Sequence, residues 1–198
     1  FRSQFVAFFG PLIGLILGFD AVNREKNEGT LSKLLSQPIH RDAIVNGKFF
    51  AGVVTVGVML LAIVLLVAGL GLKMIGVVPG MEEIGRIAVF LILSILYISF
   101  WLGISILFSI LFRSVATSAL ASLAAWIFFS FFVTLGAAAV ANALAPEAST
   151  GSAQALVQRA RIEKAVSLAS PMELYRDSTA TIIDPMRRTN RTLIQMGM

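Results

Sequence analysis

Long apolar runs alternate with short polar segments along this chain of 198 residues. A helix needs about 20 apolar residues to cross a hydrocarbon layer that is about 30 Å thick. Four runs meet this requirement, and they cover about residues 3–22, 49–72, 87–112 and 114–145. Asp20, near the end of the first run, is the only charged residue in the four. The pattern predicts an all-α fold, a polytopic transmembrane helical bundle occupying residues 1–145.

Arg113 alone separates the third apolar run from the fourth. One continuous helix over 87–145 would be about 90 Å long, about three times the thickness of the hydrocarbon layer. We therefore expect a tight helical hairpin with its turn at Arg113.

Composition supports a membrane protein, because 57% of the residues are hydrophobic and only 14% are charged. Soluble domains have about 45–50% apolar and about 25% charged residues. The chain has 16 Lys and Arg against 11 Asp and Glu. In a membrane protein this basic excess indicates cytoplasmic loops and contact with lipid headgroups, so we expect lipid partners and no nucleic acid. The absence of cysteine excludes disulfides and thiolate chemistry.

The basic residues also predict the orientation in the cell membrane, because cytoplasmic loops are richer in Lys and Arg. The segment 73–86 carries two basic residues, Lys73 and Arg86. The segment 20–48 carries five, which are Arg24, Lys26, Lys33, Arg41 and Lys48. We therefore expect the 23–48 loop to be cytoplasmic and the polar tail, 146–198, to be extracytoplasmic.

The tail is expected to form a small helical segment without a core of its own. Residues 156–169 have the pattern of an amphipathic helix. A second helix is predicted to start at Pro171, with Ser170 as its N-cap, and to end at Asp184 before Pro185.

A short amphipathic helix is predicted within the cytoplasmic loop. Its apolar face consists of residues spaced i, i+3, i+4 and i+8, which are Leu31, Leu34, Leu35 and Ile39. Gly29 suits the end of the preceding helix, Thr30 can cap the next one, and Pro38 ends it. The pattern leaves two interpretations open: the helix rests on lipid headgroups, or it docks against a partner protein.

The loop also resembles the cytoplasmic signature of ABC-2 type transporter permeases. The residues that carry the resemblance are Glu25, Gly29-Thr30-Leu31, Leu34-Leu35-Ser36, Pro38, Arg41 and Gly47-Lys48. The tail, from Ser170-Pro171 through Tyr175 to Asp184-Pro185, is similar to an external loop in one branch of the family. That branch includes permeases linked to copper handling and to nitrous oxide reductase maturation. The resemblance implies about six spans, and the four seen here are consistent with a fragment.

The resemblance further implies a permease subunit of an ATP-driven exporter, working as a homodimer with ATP-binding-cassette ATPase subunits. ATP and Mg would be bound by the ATPase, so we expect this chain to need no cofactor and to be no enzyme. The loop helix would couple the permease to the ATPase through Glu25, Glu28, Gly29, Thr30, Leu31, Leu34, Leu35 and Arg41. For Arg41, binding to a lipid phosphate is an open alternative.

Small and polar residues form rows within the predicted spans. Gly10, Gly14 and Gly18 recur at every fourth position, which favours close packing of another helix. The other rows consist of Ser94, Tyr97, Trp101 and Ser105 in the third run and Ser118, Ser122, Trp126, Ser130 and Thr134 in the fourth. They suit either hydrogen bonding between helices or the lining of a substrate path.

Several other functions find no support in the sequence. Gly47-Lys48 lacks the remaining residues of a P-loop, and a single histidine, His40, makes a histidine metal site implausible. Ion-coupled transport needs ionisable groups within the membrane, and these runs offer none beyond Asp20 near one end, so the energy for transport must come from a partner. The alternative is a non-transporting scaffold or assembly factor whose 146–198 tail binds a partner protein. The transported substrate is not indicated by the sequence.

Overall fold

The computed structural model describes residues 2–29, 41–76, 80–144 and 153–183, and these residues form helices and turns without strands. We number the helices of this part in chain order. They are α1 (Arg2–Gly18), α2 (Asn23–Asn27), α3 (Arg41–Ile75), α4 (Met81–Leu111), α5 (Val115–Leu144), α6 (Ala153–Ser167) and α7 (Pro171–Ile183).

Four stretches of the described chain are long and apolar enough to cross a membrane. They are Gln4–Asn27, Asp42–Met74, Met81–Leu111 and Val115–Leu144. This confirms the all-α class and the predicted number of spans. The helix α3 starts ahead of the predicted span boundary near residue 49, because its polar first two turns continue the apolar helix without a break. Arg113 lies in the short turn between α4 and α5, where the sequence predicts a hairpin.

The centre of the bundle is α4, which packs against α1, α3, α5 and α7. Its approach to α1 is closest along the row of Gly10, Gly14 and Gly18. A Cβ atom on Gly14 would lie 2.6 Å from the carbonyl oxygen of Ile98, and one on Gly18 would lie 2.7 Å from the Cβ of Ser105. Only glycine lets the two backbones come this near, so the row fixes where α1 crosses α4.

Two hydrogen bonds hold α1 against α4 on either side of Gly14. Pro11 is fully buried within α1 and has no N–H to donate to the carbonyl of Ala7, one turn earlier. The hydroxyl of Tyr97 on α4 donates to that carbonyl instead, at 2.8 Å. Ser105 donates to the carbonyl of Leu15 at 2.9 Å. Side chains of α4 thus satisfy backbone groups of α1.

A π-helical turn, Phe128–Phe132, interrupts α5 near its middle. Such turns insert one extra residue and alter the backbone hydrogen bonds around them. The hydroxyl of Ser170 donates to the carbonyl of Phe129 at 2.9 Å. Because Ser170 directly precedes α7, this bond fixes the start of α7 to the fourth span. The helix begins at Pro171, as the sequence predicts.

The described part of the tail is attached to the spans. Beyond the π-helical turn, α5 packs against α6, while α7 packs against α1 and α4. Tyr175 of α7 is buried and stacks on Tyr97, with ring centroids 4.5 Å apart, and its hydroxyl is hydrogen-bonded to Ser94 at 2.7 Å. Tyr175 thus joins α7 to the third span, while Val157 of α6 and Leu174 of α7 stay exposed.

Candidate coupling site at the connection between α1 and α3

The chain leaves α1 through a turn at 19–22 and forms the single helical turn α2. Gly29 follows α2 with a φ of +70°, and its N–H donates to the carbonyl of Lys26. This left-handed conformation costs glycine little and other residues much more. The glycine of the loop signature therefore ends α2 and sets the direction in which the chain continues.

Ser109, near the end of α4, receives the start of α2. Its hydroxyl oxygen accepts the N–H of Val22 at 3.0 Å and the N–H of Asn23 at 3.1 Å. These groups stand at the start of a helix, where N–H donors have no acceptor within the helix itself. Both Ser109 and Asn23 are fully buried. An alanine at 109 would leave two buried donors without a partner, at a cost of about 1–3 kcal/mol each.

Two further bonds join α2 to the hairpin of α4 and α5. The side-chain amide of Asn23 donates to the carbonyl of Ser114, in the turn, at 3.4 Å. The ammonium of Lys26 donates to the carbonyl of Ile110 at 3.2 Å. Carbonyls in the last turn of a helix lack intrahelical donors and carry partial negative charge, so a lysine is well suited to this place. We call Asn23, Lys26 and Ser109 the polar clamp.

An ion pair joins α2 to α3. Glu25 and Lys48 approach to 2.7 Å, and the side chain of each is 23% exposed. The pair Arg24–Glu28 lies within the α2 segment, at 2.9 Å, and both side chains are mostly exposed. Exposed pairs of this kind contribute about 0–1 kcal/mol, so the partly buried pair matters more for the position of α2.

These charged groups surround an open cavity of about 390 Å³. It is lined by Asp20, Ala21, Arg24, Glu25, Glu28 and Lys48. Three of the predicted coupling residues, Glu25, Glu28 and Gly29, thus lie together at one end of the bundle. A cavity with carboxylates and bases on its rim can exchange ion pairs with a partner surface.

The other five predicted coupling residues lie wholly or partly outside the described residues. Thr30, Leu31, Leu34 and Leu35 lie outside the described residues. Arg41 is the first residue of α3, and its side chain also lies outside them.

Sequence reasoning missed the polar clamp as part of this site. The charge of Lys26 indicates the orientation in the membrane but no bonding partner. Ser109 carries no local signal because it is one serine in an apolar run. Asn23 and Ser109, 86 positions apart, come together because α1 and α4 cross closely. The glycine row indicates a close crossing but does not identify the partner helix.

The residues proposed to line a path are all buried within the described bundle. They are Ser94, Tyr97, Trp101, Ser118, Ser122, Trp126 and Ser130. Several of their hydroxyls form bonds inside the bundle: Ser122 donates to the carbonyl of Ser118 at 2.8 Å and lies 3.3 Å from the hydroxyl of Ser105. Their role in a substrate path stays a prediction.

Four membrane-length helices around a shared core, with a polar connection folded against one end, define a polytopic helical membrane protein. The chain belongs to the ABC-2 transporter family, because the family described as "ABC-2 family transporter protein" matches residues 1–197. This confirms the recognition made from the loop signature.

One curated relative is described as "Probable ABC transporter permease protein NosY", from Stutzerimonas stutzeri. It is 38% identical to this chain over 81 residues, which is 37% of this chain and 29% of the relative. The match therefore spans less than a third of that protein's length. No solved structure matches the chain.

Proposed function

We propose that this protein is the permease subunit of an ATP-driven exporter and couples ATP hydrolysis in a partner ATP-binding-cassette ATPase to movement of a substrate across the cell membrane. Membership of the ABC-2 family supports this proposal. The observation that carries the energy argument is the lack of ionisable side chains in the central parts of the four spans. Ion-driven transporters need such groups, so an external energy source is required.

The 23–48 loop faces the cytoplasm in this proposal and contacts the ATPase. The contact surface comprises Glu25, Glu28, Gly29, Thr30, Leu31, Leu34, Leu35 and Arg41. The charged members would exchange ion pairs with the ATPase, and the leucines would anchor the loop. Support comes from the cavity that Glu25 and Glu28 share with Arg24 and Lys48, which gives the loop a charged surface at one end of the spans.

Two permease copies and two ATPases form the transporter in this proposal, with lipid around the spans. ATP and Mg belong to the ATPases, and this chain contributes no cofactor. The substrate path would run between the two copies, past the polar rows of α4 and α5. The 146–198 segment would lie on the extracytoplasmic side, close to the outer end of that path.

Aspartate substitutions on the apolar face of the loop helix test the proposal. The full-length protein would be purified with its partner ATPase and reconstituted in liposomes. In the double variant Leu34→Asp and Leu35→Asp, we expect loss of ATPase co-purification and of the ATP hydrolysis that the permease stimulates. Burying two carboxylates at a protein interface costs far more than two leucines contribute.

The double variant Ser32→Asp and Gln37→Asp is the matched control, because it places the same two charges on other faces of the predicted helix. It should leave ATPase binding and stimulated hydrolysis unchanged. If the double leucine variant retains both properties, the coupling assignment is wrong. If it does so while the 146–198 segment alone captures a partner protein, the scaffold alternative is favoured.

A further inference from the structure

The start of the loop forms several hydrogen bonds with the end of the third span and with the turn that follows it. Three bonds connect Val22 and Asn23 to Ser109 and to the turn after α4. A fourth connects Lys26 to the carbonyl of Ile110. Towards α3, Glu25 forms an ion pair with Lys48. The loop therefore begins on the hairpin of α4 and α5 although the sequence places that hairpin far downstream.

The described spans also differ in how much of each is buried. The first and third spans are 39% and 33% buried, and the close crossing at Gly14 joins them. The second span, which lies within α3, is 11% buried, and the fourth is 18% buried. The helices α1, α4 and α5 pack against one another, and α3 packs against α4 while most of its own surface stays uncovered.

We propose that the polar clamp makes α2 move with the α4–α5 hairpin, so that a displacement of the loop by the ATPase shifts this hairpin relative to α3. This inference rests on the proposed function and adds to it the route within the permease. Asn23, Lys26 and Ser109 are positioning residues: they act on the hairpin through hydrogen bonds and need not touch the ATPase. Such a route requires a rigid joint, which buried bonds satisfying otherwise unpaired backbone groups supply.

The test measures the distance between α3 and the hairpin with and without nucleotide. The chain contains no cysteine, so Asn46→Cys on α3 and Arg113→Cys in the turn give two unique spin-label sites, both exposed. The full-length protein, bound to its ATPase and diluted with unlabelled protein, would be compared in the nucleotide-free and ATP-vanadate states by pulsed electron resonance. In the otherwise unsubstituted protein we expect the distance distribution to shift with nucleotide.

Ser109→Ala and Asn23→Ala should each abolish or strongly reduce this shift while the ATPase remains bound. Lys26→Met should reduce it, and Lys26→Arg should restore it, because arginine keeps a donor for the carbonyl of Ile110. Lys26 is exposed, so neither substitution at 26 threatens folding. Ser99→Ala is the matched control: it removes a buried hydroxyl of α4 that has no hydrogen-bond partner, and the full shift should persist.

The outcomes separate this inference from the proposed function. A full nucleotide-dependent shift in Ser109→Ala, Asn23→Ala and Lys26→Met would overturn the role of the clamp and leave the proposed function standing. The absence of any shift in the protein with an intact clamp, together with absence of ATPase binding, would overturn both.

Discussion

Replacing Gly14 with alanine tests the close backbone approach between α1 and α4. The new Cβ would lie 2.6 Å from the carbonyl oxygen of Ile98 and 3.0 Å from the backbone nitrogen of Leu102. Both neighbours are backbone atoms of a continuous helix and cannot turn aside as a side chain can. The helices α1 and α4 must therefore separate by about 0.8 Å to restore an ordinary van der Waals contact.

The structure indicates what this separation would cost. The hydrogen bond from Tyr97 to the carbonyl of Ala7 is 2.8 Å long, and that from Ser105 to the carbonyl of Leu15 is 2.9 Å long. Stretched by about 0.8 Å, neither remains a hydrogen bond. Each loss costs about 1 kcal/mol, while alanine regains at most about 1 kcal/mol in helix propensity. Including the loosened packing, we expect a net destabilisation of about 1–3 kcal/mol.

Unfolding of the full-length protein in detergent, titrated with dodecyl sulfate, measures this difference. The two tryptophans, Trp101 and Trp126, are buried in α4 and α5 and provide the fluorescence signal. The control is Gly69→Ala on α3, where no other atom lies within 4 Å of the added Cβ. It should leave stability unchanged or raise it by at most about 1 kcal/mol. Equal stability of Gly14→Ala and the parent protein would refute the close crossing.

Two further predictions concern the tyrosines. Tyr97→Phe should destabilise the protein by about 1–3 kcal/mol, because the carbonyl of Ala7 loses its donor. In a protein that also carries Pro11→Ala, the N–H of the new alanine can donate to that carbonyl, so Tyr97→Phe should cost less. An unchanged cost in this double-mutant cycle would contradict the interpretation. Burial raises the pKa of Tyr175 to about 12. Neutral Tyr175 therefore contributes fully to the stability of the folded protein below about pH 10, where the tyrosine of the unfolded chain is also neutral. This contribution is lost as the pH rises from about 10 through 12. In Tyr97→Phe, Tyr175 is the only tyrosine, so tyrosinate absorbance should appear near pH 12, and a midpoint near 10 would argue against its burial.

The spans were predictable because the signal for them is local. A run such as 49–72, with no charge over more than the thickness of a bilayer, allows few other structures. The hairpin turn at Arg113 followed from the same length argument. The loop signature around Gly29 identified the family, since its residues are close together in sequence and need no knowledge of the fold.

The contacts between distant segments were not predictable in this way. Tyr175 lies in a tail of mixed polarity, and nothing in its neighbourhood indicates that it stacks on Tyr97 in the third span. Ser109 receives α2 only because the glycine row lets α1 cross α4 closely enough. Periodicity indicates which face of a helix is buried but does not identify the helix that covers it. The polar clamp therefore required the structure.

The π-helical turn at Phe128–Phe132 affects the whole second half of the fourth span. One additional residue rotates everything after it by about 100° around the helix axis. This rotation sets the side of the helix on which Ala137 and Ala141, both buried, are placed. Deleting one phenylalanine from this turn would leave the span equally hydrophobic and almost equally long. It would, however, rotate the two alanines away from α6. A hydropathy plot would not register the change, although α6 would lose its packing against α5.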